Sequence, residues 1–341
     1  MDYYQEDLHI LAEYIKLSAI KNSRLFITGG TGLIGSVCAK AFLTANKEYN
    51  LENEVNILVR DAEKADRIYD GFVSYGLHYI EGDVCQQIPT IDCDYIIHTA
   101  SPTSSGYFIS HPAEVLDIIY SGTKNILELA KECNAQSMVC LSSMEAFGAV
   151  KETDHRLKEY ELGYIDISDV RSCYSEGKRV LELMCRCYSE EYGINVCIAR
   201  LAQTFGAGVL PTENRVFAQF ARSAVKGENI VLHTLGRTIG NYCYIRDTVK
   251  AIITLLLNGQ KGEIYTVANE STSMSIREMA ELVAENFSNG RSQVVFEIPD
   301  GNKFGYAPET KIRLSSEKLQ SLGWKPEVDI VEMYRRMIPY I

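Results

Sequence analysis

Leu25-Phe26-Ile27-Thr28-Gly29-Gly30-Thr31-Gly32-Leu33-Ile34-Gly35 is the stretch on which the fold turns. A short apolar run leads into glycines at i, i+3 and i+6, and the residues beyond continue with helical spacing. Gly29 permits a tight turn off the strand. Gly32 removes a Cβ where a pyrophosphate has to approach the backbone, and Gly35 lets the new helix pack closely on the strand. Thr31, Leu33 and Ile34 stand at the start of that helix, where free N–H donors and the positive dipole end favour a phosphate. A glycine triplet alone is weak evidence. The strand before it and the helix after it give it the context of a dinucleotide cradle.

Outward from this stretch, short apolar runs alternate with longer helical ones. Strands are expected at Arg24–Thr28, Val55–Arg60, His78–Glu81, Tyr95–Thr99, Ser137–Ser142 and Asn195–Arg200, and helices at 32–46, 112–134 and 173–192. That alternation implies βαβ units with right-handed crossovers, hence an α/β fold with a doubly wound parallel sheet of the Rossmann type. Residues 5–20 form an amphipathic helix ahead of it, with Leu8, Leu11, Ala12, Ile15 and Ala19 at helical spacing. Past residue 200 glycines punctuate shorter elements, with helices at about 215–227, 246–258, 275–288 and 330–339. The expected organisation is an N-terminal helical extension (1–22), a dinucleotide-binding domain (23–205) and a smaller C-terminal substrate-binding lobe (206–341). Part of 241–270 returns to the dinucleotide-binding domain.

Composition limits the function. Hydrophobic residues make up 46% of the 341 residues and charged ones 23%, as in a globular chain. Acidic residues number 45 against 34 basic ones, a net charge of −11, which argues against general nucleic-acid binding. No apolar run approaches the roughly 20 residues of a membrane span. The acidic N-terminus lacks a signal-peptide charge pattern, so a cytoplasmic protein is expected. The ten cysteines contain no C-x-x-C pair and read as reduced, mostly buried thiols. The scattered histidines offer no ligand spacing, so no metal is expected.

The second strand ends Ile57-Leu58-Val59-Arg60-Asp61. An NAD-binding fold usually places a carboxylate there for the ribose 2′-OH. Arg60 stands there instead and suits a 2′-phosphate, whereas Asp61 reaching the ribose suits NAD. Both NAD and NADP stay open.

Tyr174-Ser175-Glu176-Gly177-Lys178 opens a helical stretch. Tyr174 and Lys178, at i and i+4, share a helix face. An ammonium beside a phenol favours the phenolate and lowers a pKa otherwise about 10. The tyrosine then becomes a proton acceptor. Leu141-Ser142-Ser143 ends a strand about thirty residues earlier and supplies a hydroxyl for the same substrate oxygen.

With these residues in hand, the chain resembles the extended short-chain dehydrogenase/reductases of the NAD(P)-dependent nucleotide-sugar epimerase/dehydratase type, over nearly all of 23–341. The likeness rests on T-G-G-T-G-L-I-G at 28–35, Gly82-Asp83-Val84, His98-Thr99-Ala100-Ser101, Gly122-Thr123-Lys124-Asn125, Ser142-Ser143-Met144-Glu145-Ala146-Phe147-Gly148, Tyr174 with Lys178, and Leu322-Gly323-Trp324-Lys325-Pro326. It implies that Asp83 and Val84 hold the adenine, that Ala100 and Ser101 lie along the cofactor, and that Ser143, Tyr174 and Lys178 are the catalytic triad. Within the family the pattern is most similar to UDP-glucuronate decarboxylases, through Ala100-Ser101-Pro102, Arg171 to Val180, Ala199-Arg200, Thr204-Phe205-Gly206, and Arg215-Val216 with Phe220. Glu145 falls where these enzymes and the dehydratases carry an acidic catalytic residue. Pro102, Gln203 and Arg215 fall at substrate-binding positions.

Three departures stand out. Gln203 replaces the family's Asn before Thr-Phe-Gly. Gly240 stands seven residues before Asp247, where most relatives carry an Arg that contacts the diphosphate or sugar; Arg237 and Arg246 are the nearby substitutes. Met144 precedes Glu145 where dTDP-glucose 4,6-dehydratases have an Asp to protonate the leaving hydroxyl.

The resulting expectation is a nucleotide-sugar epimerase or dehydratase acting through a transient 4-keto sugar. In it Tyr174 takes the C4 hydroxyl proton and Glu145 moves the proton next to the ketone. A UDP-glucuronate decarboxylase is the alternative within the family. An NADPH-dependent ketone reductase and a non-catalytic dinucleotide sensor are the rivals outside it. Surplus apolar residues on helices 112–134 and 173–192 predict a homodimer, as in relatives.

Overall fold

The computed structural model describes residues 2–299 and 309–341. In chain order the helices are α1 (Tyr3–Leu17), α2 (Leu33–Tyr49), α3 (Ala62–Ile68), α4 (Ser105–Ser110), α5 (Pro112–Glu132), α6 (Ser172–Tyr192), α7 (Val216–Lys226), α8 (Ile245–Asn258), α9 (Ile276–Phe287), α10 (Glu317–Gln320) and α11 (Ile330–Met337). The strands are β1 (Arg24–Thr28), β2 (Glu54–Val59), β3 (Leu77–Glu81), β4 (Tyr95–His98), β5 (Ser137–Ser143), β6 (Val196–Leu201), β7 (Gln203–Phe205), β8 (Ile230–Leu232), β9 (Ile239–Tyr244), β10 (Ile264–Val267), β11 (Asn269–Ser275) and β12 (Val294–Phe296).

Among the described residues the main sheet has seven strands in the order β10-β6-β5-β4-β1-β2-β3. All its ladders are parallel. Every residue of β6 is buried, and β5 is buried up to its last residue. Strands covered by helices on both faces read as continuous apolar runs, which is why the sequence showed them clearly. The chain order reverses between β1 and β4, the switch point at which open parallel sheets bind ligands.

Two later segments complete this sheet. β10 adds the edge strand beside β6, and α8 lies against β5 and β6. The remaining elements form a small sheet β11-β9-β7 and a parallel pair β12-β8, with α7 and α9 packed together beside them.

Helix α1 is part of the main body. Asp2 caps it, accepting the N–H groups of Tyr4 and Gln5. Leu8, Leu11, Ala12 and Ile15 are fully buried against α2 and α8. Asp7, on the same face, accepts from Tyr244, from Arg246 at 3.0 Å and from Arg336 at 3.1 Å. One carboxylate therefore ties the N-terminal helix to α8 and α11. The motif near the C-terminus is anchored similarly. The Trp324 indole donates to the Asp247 carbonyl at 2.9 Å, and the Asp247 carboxylate accepts the N–H groups of Glu327 and Val328 at 2.8 and 3.0 Å. No helix among the described residues is long and apolar enough to cross a membrane.

Candidate active site

A parallel register carries every strand's C-terminal end to one edge. Thr28 pairs with Leu58 and His98, His98 with Cys140, and Ser143 with Leu201. The residues just beyond those ends are the sequence candidates: Gly29, Arg60, Asp83 with Val84, Ala100 with Ser101, Ser143 and Gln203. The turn and helix that follow β1 bring in Thr31 and Gly32 ahead of α2 and Leu33, Ile34 and Gly35 in its first turn, and α6 brings in Tyr174 and Lys178.

The glycine cradle has the dimensions of a phosphate site. Gly29 has φ +68°, and a Cβ there would meet the Ala100 nitrogen at 2.8 Å. A Cβ on Gly35 would meet Thr99 Oγ1 at 2.9 Å. Gly32 is different: only the Gly29 carbonyl, at 3.3 Å, borders the place of its Cβ, so that side opens outward. Gly32 is also the N-cap of α2 and no side chain caps the helix. The N–H groups of Leu33, Ile34 and Gly35 consequently lack acceptors among the described residues. An uncapped helix start opening on a glycine-lined turn fits a dinucleotide pyrophosphate. The Tyr69 hydroxyl donates to the Gly30 carbonyl at 2.6 Å and braces the turn from below.

The adenosine side is formed by β2 and β3. Arg60 is exposed and makes no hydrogen bond or ion pair among the described residues. Asp61, its competitor for the ribose, is committed to capping α3 and accepts from the Lys64 N–H at 2.9 Å. Asp83 accepts from the Cys85 N–H at 2.8 Å, which turns the chain so that Val84 packs toward Gly122. The Val84 carbonyl accepts from the Asn125 amide at 2.9 Å. Ala100 donates its N–H to Thr28 Oγ1 at 3.2 Å, and the Ser101 hydroxyl donates to the Pro102 carbonyl at 3.3 Å. These bonds hold the loop after β4 against the cradle.

The chemistry sits between β5 and α6. Tyr174 is buried, with its ring stacked on Phe108 at 4.3 Å between centroids. The Lys178 ammonium lies 5.6 Å from that ring centroid and donates to the Leu141 carbonyl at 2.8 Å. The Ser143 hydroxyl accepts the Glu145 N–H at 3.2 Å, which leaves its own proton to donate. Glu145 is gripped by Arg171 on both carboxylate oxygens, at 3.0 and 3.3 Å, and by the Ser175 hydroxyl at 3.1 Å.

Electrostatics here differ from the sequence expectation in one respect. Burial pushes the Tyr174 phenol up and Glu145 adds to the rise, while Ser143, Arg215 and Arg171 oppose it. Desolvation of the stacked ring therefore outweighs the neighbouring cations when the site holds no ligand. Burial pushes Lys178 down to about 8. His98, fully buried and bonded to Thr28 at 2.8 Å, is pushed down to about 3 by burial and by Lys178, so it stays neutral.

The substrate-side candidates are less uniform. Gln203 starts β7, and its side chain makes no hydrogen bond among the described residues. Arg215 is held by Glu213 at 3.0 and 2.7 Å. A Cβ at Gly240 would run into the buried Tyr242 ring, so the tyrosine fills the space that a larger residue would need. Arg246 does not replace the missing arginine, because Asp7 and Glu327 hold it. Arg237 is exposed just ahead of β9. Arg171 was not singled out as a site residue. It precedes the helical stretch, where periodicity carries no information about which way a side chain points. Ser175 and Phe108 were missed for a related reason, since their roles depend on contacts between elements.

The family described as the NAD dependent epimerase/dehydratase family matches residues 25–268. UDP-glucuronic acid decarboxylase 6 of Arabidopsis thaliana is 30% identical over 315 residues, covering 91% of this chain and 86% of that protein. UDP-glucuronic acid decarboxylase 1 of Danio rerio is 29% identical over 325 residues, covering 95% of this chain and 74% of that protein. Among solved structures, the epimerase Mth375 of Methanothermobacter thermautotrophicus superposes with a TM-score of 0.79 at 19% identity, covering 97% of this chain and 95% of that one.

Proposed function

The chain belongs to the NAD dependent epimerase/dehydratase family, and from that premise we propose that it is a redox-neutral enzyme acting on a nucleotide-linked sugar through a 4-keto intermediate. The observation that carries this reading is the convergence of Ser143, Glu145, Tyr174 and Lys178 at the sheet edge beside the open cradle of Gly29 to Gly35. The cradle, Asp83, Val84, Ala100, Ser101, Tyr174 and Lys178 would hold NAD(P). When bound in its oxidised form that cofactor supplies a reversible hydride acceptor and a positive charge.

The side chains divide the remaining work. The Ser143 hydroxyl, with its oxygen already accepting the Glu145 N–H, donates to the substrate oxygen. Tyr174 accepts the C4 hydroxyl proton, and Lys178, Arg171 and Arg215 supply the positive field that favours its phenolate. The ketone stabilises the carbanion next to it, whether a C–H proton or, in a uronate, carbon dioxide leaves that carbon, and Glu145, held in place by Arg171 and Ser175, takes the proton away or returns one.

Decarboxylation of a UDP-hexuronate is the outcome favoured among those this chemistry allows. The decarboxylase relatives match along nearly the whole chain. Arg171, while it holds Glu145, is a cation at the site that can also face a substrate carboxylate where Gly240 supplies none. Epimerisation is the second reading, favoured by the Gly240 and Tyr242 pair that replaces the usual arginine. Water loss has least support, because Met144 offers no acid for a leaving hydroxyl. Mass spectrometry after incubation with UDP-glucuronate and a panel of UDP-, CDP-, GDP- and dTDP-sugars separates these outcomes. Loss of carbon dioxide supports decarboxylation, and an unchanged mass with a shifted retention time supports epimerisation. Tyr174→Phe removes either product while the cradle and Lys178 still retain cofactor; substantial turnover in that variant overturns the assignment.

Arg60, unpaired at the end of β2, favours NADP over NAD. The apolar side chains of Leu116, Tyr120, Val180 and Leu183, exposed on α5 and α6, favour a homodimer built on that face. The ten free cysteines suit a cytoplasmic setting.

A further inference from the structure

Cys93 and Cys133 come together at the end of the sheet opposite the candidate site. Cys93 lies two residues before β4, and Cys133 is the C-cap of α5. Their sulfurs are 2.9 Å apart. The surrounding backbone fixes this pairing. Gln136, just past Cys133, donates its N–H to the carbonyl of Asp94, next to Cys93, at 2.8 Å. The Asp94 carboxylate is fixed by the N–H and guanidinium of Arg24, at 2.7 and 3.3 Å. Cys93 is 2% exposed, whereas Cys133 is partly open to solvent.

We propose that Cys93 and Cys133 form a reversible intramolecular disulfide when the protein meets a hydroperoxide. A disulfide needs the sulfurs at about 2.05 Å, less than an ångström closer than they stand. The two thiols are not equivalent. The contact with Cys133 and burial hold the Cys93 thiol up, while the contact with Cys93 and nearby backbone N–H groups hold the Cys133 thiol down. The acidic, accessible partner attacks first. The Cys133 thiolate attacks one peroxide oxygen, the O–O bond breaks, and the alcohol or water leaves with a proton, giving a sulfenic acid at Cys133. The Cys93 sulfur then attacks the Cys133 sulfur, an S–S bond forms, the S–O bond breaks, and hydroxide leaves as water with the Cys93 proton. Two thiols lose two electrons to one peroxide, and a dithiol reductant reverses the change.

Another thiol pair, Cys140 and Cys185, is completely buried and so closed to the oxidant. Cys187 is exposed on α6 and is the natural site of unrelated oxidation. The bond would close a ring over residues 93–133, which carries β4, α5 and the loop of Ala100, Ser101 and Pro102. It would restrain the strand that presents those residues without touching them.

The test is peptide mapping of the wild-type protein after brief hydrogen peroxide treatment, followed by alkylation without reduction. The proposal predicts one bridged peptide pair joining Cys93 to Cys133, removed by dithiothreitol. In a Cys187→Ser background, titration of the unfolded protein should give nine thiols before oxidation and seven after. Tm should rise on oxidation and return on reduction. Cys93→Ala and Cys133→Ala should each abolish the bridge. Nine thiols after treatment, a bridge to any other cysteine, or Cys133 passing to sulfinic acid unpaired would overturn the proposal. The wild-type map decides the matter even if a variant fails to fold.

Discussion

Tyr174, Lys178 and Arg60 are the residues whose chemistry follows most directly from place. Lys178 sits at about 8 because burial opposes its charge. Burial holds Tyr174 above its ordinary value, so below about 8 both groups of the pair are protonated, and the working form, an ammonium beside a phenolate, needs one proton to leave the pair. kcat/KM should therefore rise as pH rises through about 8 and level off above it, and a profile that falls through pH 8 would contradict this pairing. Arg60→Ala should weaken NADP binding at least tenfold more than NAD binding, measured by titration of the two cofactors; equal losses would remove the preference. At this scale the sequence was informative where a residue type coincided with an element end, as at Gly29 and Ser143 beside strand ends and Tyr174 in the first turn of α6. It was silent where a role arises only from an encounter. Arg171 meets Glu145 across 26 positions of chain. Glu213 neutralises Arg215 through a local turn that no periodicity signals.

Elements were legible in proportion to their burial. The strand at Arg24–Thr28 appears with the expected limits, and β2 to β6 lie within a residue of theirs; the inner parallel strands are buried on both faces and so are nearly unbroken apolar runs, whereas the edge strand β3 is largely uncovered. Strand β10 lies within the 241–270 segment expected to return to the main body, but it was not read as a strand. Helix α1 was legible as a helix but not as a structural keystone, because amphipathicity shows a buried face and not its partner. Asp7 decides that question. It lies among apolar residues on the buried face and receives Tyr244, Arg246 and Arg336. Removing a buried partner costs up to about 3–5 kcal/mol, reduced here because Arg246 keeps Glu327 and Arg336 keeps Glu6 and Glu332. Asp7→Ala should therefore lower the unfolding free energy by that order in a urea titration. A loss below about 1 kcal/mol would mean that α1 is held by its apolar face alone.

For the whole molecule, the doubly wound sheet, its switch point and the gathering of candidate residues along one edge followed from the alternation of elements. The later part of the chain was legible in its helices, which fall close to the expected ranges, and not in its strands, whose short lengths carry little periodicity. Assembly belongs to this scale. Leu183 is 62% exposed and Tyr120 50% exposed on adjoining helices of an otherwise well-packed body. Sedimentation at micromolar concentration should give a dimer, and Leu183→Asp should shift it to monomer without changing the circular dichroism spectrum. A wild-type monomer would contradict the dimer. The central claim, a hydride that leaves the sugar and returns to it, is tested most directly with a C4-deuterated nucleotide sugar from the substrate panel. The account predicts that the product sugar retains the deuterium and that bound cofactor shows no net change after many turnovers. Deuterium accumulating on the nicotinamide, with one cofactor reduced per product, would contradict it.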